Sequence, residues 1–113
     1  MMELMQLLDK PEFPRSSRYD AAWVLDNQMG PNALWLTEWL AEALPLRAGM
    51  RVLDLGCGRA LSSIFLAREF GVQVWAADLW ITPDHNWDRI RKAGVSALVY
   101  PARVEAHALQ FAR

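Results

Sequence analysis

The sequence predicts an α/β fold, a parallel sheet with flanking helices, on three observations. A short apolar run, Arg51-Val52-Leu53-Asp54-Leu55, leads straight into the turn Gly56-Cys57-Gly58. Residues 62–70 read as a helix, and a second apolar run, Val72 to Ala77, follows with Asp78 at its end. Strands buried on both faces are apolar without alternation, and a helix between two of them is the crossover that parallel strands require.

The remaining elements follow in order. Met1 to Leu8 is a short amphipathic stretch stopped by Pro11 and Pro14, and Gly30-Pro31 marks a turn. Asn32 is an N-cap for a helix in which Leu36, Trp39, Leu40, Ala43 and Leu44 recur at helical spacing until Pro45. Gly71 suits the left-handed residue that closes the helix over 62–70. Asn86 to Lys92 is a second crossover helix ended by Gly94, and Val95 to Tyr100 a third strand stopped by Pro101. The class is therefore a Rossmann-like parallel sheet, incomplete at about three strands. Residues 1–32 form an N-terminal segment and residues 33–113 half of a nucleotide-binding domain. A fragment of a longer protein is one expectation; a mini-domain that closes its uncovered sheet edge as a homodimer is the other.

Composition narrows the partners. The chain has 113 residues, 53% of them hydrophobic, with 12 Lys plus Arg against 13 Asp plus Glu. That balance gives no electrostatic reason for a nucleic-acid or membrane surface. Cys57 is the only cysteine, which excludes an intrachain disulfide and a cysteine-based metal cluster. No signal-type core or membrane-length apolar run is present in the sequence, so the expected compartment is the cytoplasm. Six tryptophans, Trp23, Trp35, Trp39, Trp75, Trp80 and Trp87, flank the glycine turn in sequence and suit core packing or an aromatic-lined pocket.

The chemistry concentrates between Asp54 and Asp78. Gly56 can take backbone angles closed to side chains, Gly58 allows close backbone approach, and Ala60 stands where a third glycine would be. The helix start behind the turn favours an anionic group. Asp54 would repel a pyrophosphate but suits an ammonium group, and Asp78, 24 residues later, stands where a carboxylate accepts ribose hydroxyls. One acid for an amino-acid portion and one for a ribose describe an amino-acid-bearing nucleoside.

Asp54, Gly56 and Gly58 match the acid-x-Gly-x-Gly motif of class I S-adenosylmethionine-dependent methyltransferases, which residues 33–111 resemble. The resemblance implies S-adenosyl-L-methionine as cofactor, with Asp54, Leu55, Gly56, Cys57 and Gly58 around its methionine portion. It implies Asp78 at the ribose and Leu79 and Trp80 beside the adenine. The segment from Arg103 to Phe111 resembles the family's adenine loop, with Glu105 and Ala106 as contacts and Gln110 in place of the usual proline. The resemblance makes residues 33–113 the N-terminal half of the domain and residues 1–32 an N-terminal cap segment over the site, with Tyr19, Trp23 and Asn27 as candidates for that role.

The resemblance further implies methyl transfer to a small-molecule acceptor in the full-length protein. No catalytic base stands out, since His85 and His107 have no evident relay partner. Two rivals stay open: an NAD-binding oxidoreductase fragment, and a non-enzymatic α/β association domain.

Overall fold

The computed structural model describes residues 9–29, 32–105 and 107–108. The amphipathic stretch 1–8, the Gly30-Pro31 turn, Ala106 and residues 109–113 lie outside the described residues. A 3-10 turn, Ser16–Arg18, precedes helices α1 (Ala21–Asn27) and α2 (Ala33–Ala41). Then come β1 (Arg51–Leu55), α3 (Leu61–Phe70), β2 (Gln73–Asp78), α4 (Pro83–Lys92) and β3 (Val99–Arg103). The strands lie side by side in the order β1-β2-β3, all parallel, with Leu55 opposite Ala77 and Asp78 opposite Arg103.

Local chemistry explains most boundaries. The Asn32 Oδ1 accepts from the N–H groups of Leu34 and Trp35, capping α2. Thr82 caps α4 with Pro83 at its first position, Asp84 in the first turn, and Arg89, Arg91 and Lys92 in the last, matching the helix dipole. That helix therefore starts three residues earlier than the sequence predicts. Gly71 closes α3 at φ 68°.

β3 departs from its expected position. The sequence places it at Val95 to Tyr100 with Pro101 as the stop, yet Pro101 lies inside the strand, opposite Ala76. The Val74 N–H donates to the Leu98 carbonyl and the Val104 N–H to the Asp78 carbonyl. Even-numbered residues of β3 therefore bond to β2, and the proline's missing donor faces the open edge, where it costs no ladder bond.

Consecutive parallel neighbours joined by right-handed crossovers place both helices on one face. Val52, Val74, Ala76 and Val99 share that face by register and pack with Ile64, Ala67 and Ile90 as the main core. A second cluster of Val24, Leu34, Leu61 and Phe65 ties α1 and α2 to α3. The opposite face of the sheet carries Leu53 and Leu55, 41% and 48% exposed, with Trp75 and Tyr100 in ring contact at 5.1 Å.

The apolar periodicity of α2 misleads in the same way. Leu36, Trp39, Leu40 and Leu44 are exposed, whereas Leu34, Glu38 and Ala41 are buried. Glu38 reaches inward to accept from the N–H groups of Arg15 and Ser16, at 2.9 and 2.8 Å, and from the Ser16 hydroxyl at 2.7 Å. This carboxylate caps the 3-10 turn and pins the leading segment to α2.

Candidate functional site

β1 and β2 carry two carboxylates to the same end and the same face of the sheet. Asp54 lies opposite Ala76, and Asp78 is two residues beyond it, so strand alternation turns both the same way. Cys57 lies under the influence of both. Burial first, and then the charges of Asp54 and Asp78, push its thiol up to about 12.

The turn between them is hooked onto the tip of β2. The N–H groups of Gly56 and Cys57 both donate to the Ala77 carbonyl, at 2.8 and 3.0 Å, and the Gly58 N–H donates to Asp78 Oδ2 at 2.8 Å. Gly56 has φ +75°, and a Cβ placed there would meet nothing within 4 Å. Gly58 is different, because a Cβ there would lie 3.2 Å from the Met29 sulfur. Gly56 therefore offers an open backbone surface, while Gly58 abuts the segment after α1.

Asp78 is held by the loop it leads into. Its Oδ1 accepts from the N–H groups of Trp80 and Ile81, at 2.8 and 3.1 Å. Burial disfavours its charge, but the N–H groups of Ile81, Gly58, Trp80 and Leu79 outweigh that and hold the carboxyl below the usual range. An ionised carboxylate has about four acceptor positions. The three hydrogen bonds leave room for a ribose hydroxyl on an oxygen already locked in orientation.

Asp54 turns into the first turn of α3, where its Oδ2 accepts from the hydroxyls of Ser62 and Ser63 at 2.6 and 2.7 Å. A negative charge near a helix start is favourable, and Asp54 supplies one beside the first turn of α3 through the two serine hydroxyls.

The other expected site residues divide. Trp80 is 85% exposed beside Asp78, and Leu79 is half-buried. The Leu55 side chain projects from the opposite face, so only its main chain belongs to this end. The Glu105 carboxylate is exposed and engaged locally, accepting from the His107 N–H at 2.9 Å and meeting its ring Nδ1 at 2.9 Å. Ala106, expected beside it, lies outside the described residues.

Tyr19 and Trp23, expected as cap candidates, stack on each other at 5.8 Å, and Tyr19 lies 5.6 Å from Phe65 of α3. They line a cleft of about 950 Å³ with Asn27, Arg68, Glu69 and Arg89, on the helical layer and away from the strand tips. Among its charges, Glu69 pairs with Arg18 and with Arg15 beside the cleft, and Asp88 pairs with Lys92 and with Arg91.

Sequence reasoning missed four contributors: Ser62 and Ser63, which hold Asp54; Asn86, which donates to the Gly58 carbonyl at 2.9 Å; and Met29. The serine pair just after the turn is a readable signal. So is Asn86, a polar residue four before the buried Ile90 on the inward stripe of α4.

Comparison with known proteins bears on the fold. No protein family model and no curated protein matches the chain. Solved structures do. One is the cyclase SpnF, 27% identical, covering 76% of this chain and 33% of that one, with a TM-score of 0.64. A second is an S-adenosylmethionine-dependent methyltransferase from Thiobacillus denitrificans in complex with S-adenosyl-L-homocysteine: 30% identical, covering 69% and 31%, TM-score 0.55. A third is such a methyltransferase from Geobacter sulfurreducens with the same ligand: 26% identical, covering 88% and 38%, TM-score 0.56.

The sheet and turn thus define a Rossmann-like nucleotide-binding fold. Within that class the chain is similar in fold to solved S-adenosylmethionine-dependent methyltransferases. It spans roughly a third of the length of these solved structures.

Proposed function

We propose that this chain binds S-adenosyl-L-methionine and supplies the cofactor-binding half of an enzyme that transfers a methyl group to a small molecule. Residues 33–113 would form that half and residues 1–32 its cap, reaching the glycine turn through Met29 against Gly58 and not through Tyr19 and Trp23. The observation that carries the reading is the position of Asp54. With its carboxylate held at the start of α3 by Ser62 and Ser63, a diphosphate there would meet a like charge, whereas the ammonium of a methionine portion would meet an opposite one. The committed amides of Gly56, Cys57 and Gly58 point the same way, because they are not free to cradle phosphate oxygens. This disfavours the dinucleotide alternative.

The residues present fit the cofactor. Asp54 Oδ1 would take the ammonium, the open surface of Gly56 would admit the methionine portion, and Cys57 and Gly58 would complete the wall with the Leu55 main chain. Asp78 would accept a ribose hydroxyl, Trp80 would cover the adenine with Leu79, and Glu105 and Ala106 would reach the adenine edge. Bound S-adenosylmethionine would supply a methyl group on a sulfonium that leaves as a neutral thioether. The protein's task is then to fix the donor in line with its acceptor. No residue of this chain is assigned as a base.

Fold alone does not choose the reaction, since the matches include a cyclase. Calorimetric titration decides the ligand. Binding of S-adenosyl-L-homocysteine with no response to NAD supports the proposal, and the reverse pattern sinks it. Methyl transfer is then tested with labelled cofactor and the longer protein.

The open sheet face supports a second element of the reading, association. Leu53, Leu55, Trp75 and Tyr100 form an apolar surface beside the edge of β1, which pairs with no further strand among the described residues, and this surface suits a second copy of the chain. Light scattering that gives a concentration-independent monomer would exclude it. A cytoplasmic location belongs to the same reading, supported by the single free cysteine. Among the described residues, no helix is long and apolar enough to cross a membrane.

A further inference from the structure

A chain of side-chain hydrogen bonds runs from the glycine turn to helix α1. Asn86, 1% exposed, donates from Nδ2 to the Gly58 carbonyl at 2.9 Å, and its Oδ1 accepts from Arg89 Nη1 at 3.1 Å. Arg89 Nε donates to Asn27 Oδ1 at 2.9 Å, and Asn27 Nδ2 donates to the Trp23 carbonyl at 2.9 Å. The direction of each amide is fixed by its partners. Both backbone carbonyls demand a donor, so each asparagine must turn its oxygen toward Arg89, which can only donate.

We propose that Asn27, Arg89 and Asn86 are positioning residues for the glycine turn, coupling the docking of α1 to the geometry of the nucleoside-binding site. Two further contacts run between the same elements. Arg59 Nη1 donates to the Asp26 carbonyl at 2.7 Å, and Met29 lies against Gly58. Helix α1 has seven residues, too few to persist in water on propensity alone, so its order depends on such ties and on the burial of Ala21 and Val24. A satisfied buried polar network is stiff, and losing one link leaves the next group searching for a partner. A change at Asn27 is therefore felt at Gly58 through two intervening side chains. The effect on ligand affinity rests on the cofactor reading above, whereas the coupling of helix to turn does not.

The test is amide hydrogen exchange on the ligand-free chain, followed by titration with S-adenosyl-L-homocysteine. Asn27→Ala should speed exchange at the turn amides of residues 57–60 by about 3- to 10-fold without changing the circular dichroism, and weaken the ligand by a similar factor. Asn27→Asp keeps an acceptor for Arg89 but loses the donor to the Trp23 carbonyl, so turn protection should return to the wild-type level. If Asn27 only caps α1, Asp will be as damaging as Ala in the helix and neither will alter the turn, which overturns the proposal. Adding Asn27→Ala to Arg89→Met should produce no further change at the turn, because the link is already cut; an additive effect also overturns it. Altered exchange in a chain that binds no S-adenosyl-L-homocysteine would refute the cofactor reading and leave the coupling standing.

Discussion

The main-chain N–H of Gly58 donates to Asp78 Oδ2 at 2.8 Å, so the turn after β1 is fastened to the acid at the tip of β2. With the Trp80 and Ile81 amides on its other oxygen, Asp78 ties the glycine turn to the loop that follows β2. Its removal should therefore cost binding and local order together.

Asp78→Asn tests this through pH. The native carboxyl titrates below its ordinary value, so its contribution to stability is fully present above about pH 4 and is lost as pH falls through the lowered native value. The stability gap between wild type and Asp78→Asn should stay constant from neutral pH down to about 4 and narrow below it. Urea unfolding at a series of pH values measures the gap. One that widens on acidification would be incompatible with these hydrogen bonds.

Cys57 should be an inert thiol. Burial and the two neighbouring carboxylates raise it to about 12, leaving almost no thiolate at neutral pH. Ellman's reagent at pH 8 should react slowly with the native chain and rapidly after denaturation. Fast native labelling would mean that the turn opens.

Ala60 is the one non-glycine among the described residues with positive φ, at 66°, and it is fully buried. A left-handed alanine costs about 1 kcal/mol, and glycine would relieve this while losing a buried methyl of about 0.8 kcal/mol. Ala60→Gly should therefore lie within about 1 kcal/mol of wild type. Ala60→Val adds branching and bulk in a packed position and should lose about 2 kcal/mol or more. Thermal unfolding ranks the three.

Glu38 is buried under three donors from residues 15 and 16. Glu38→Ala would leave two amides and a hydroxyl unpaired, and denaturant unfolding should show a loss of about 2–3 kcal/mol. A loss under about 0.5 kcal/mol would place these groups in water instead.

How far the sequence disclosed this structure depends on how local each signal is. β1 was legible to the residue, because an apolar run meeting a glycine turn has one simple interpretation, and Asn32 and Gly71 marked their helix ends through their own backbone chemistry. β3 was misplaced because proline reads as a stop until its strand is known to be an edge. Helix α1 lacks a side-chain cap and is held by distant partners, Arg59 and Arg89 among them, so nothing local announces it. In α2 the apolar stripe marked exposed residues, since the inward face is built around Glu38. Asp54 and Asp78 stand at the ends of neighbouring strands, where the order of apolar run, acid, glycine turn and second apolar run put them. The serine pair just after the turn was readable and overlooked, whereas the Trp80 amide emerges as a partner only from the three-dimensional path of the chain.

Nuclear magnetic resonance mapping of the ¹⁵N-labelled chain with S-adenosyl-L-homocysteine tests the central claim most directly. The largest shifts should fall on Gly56, Asp78, Leu79 and the exposed Trp80, and Trp80→Ala should weaken binding by about 1–3 kcal/mol, the range for a base on an aromatic face. Shifts concentrated instead on Tyr19, Arg68 and Arg89 in the cleft of the helical layer would contradict it.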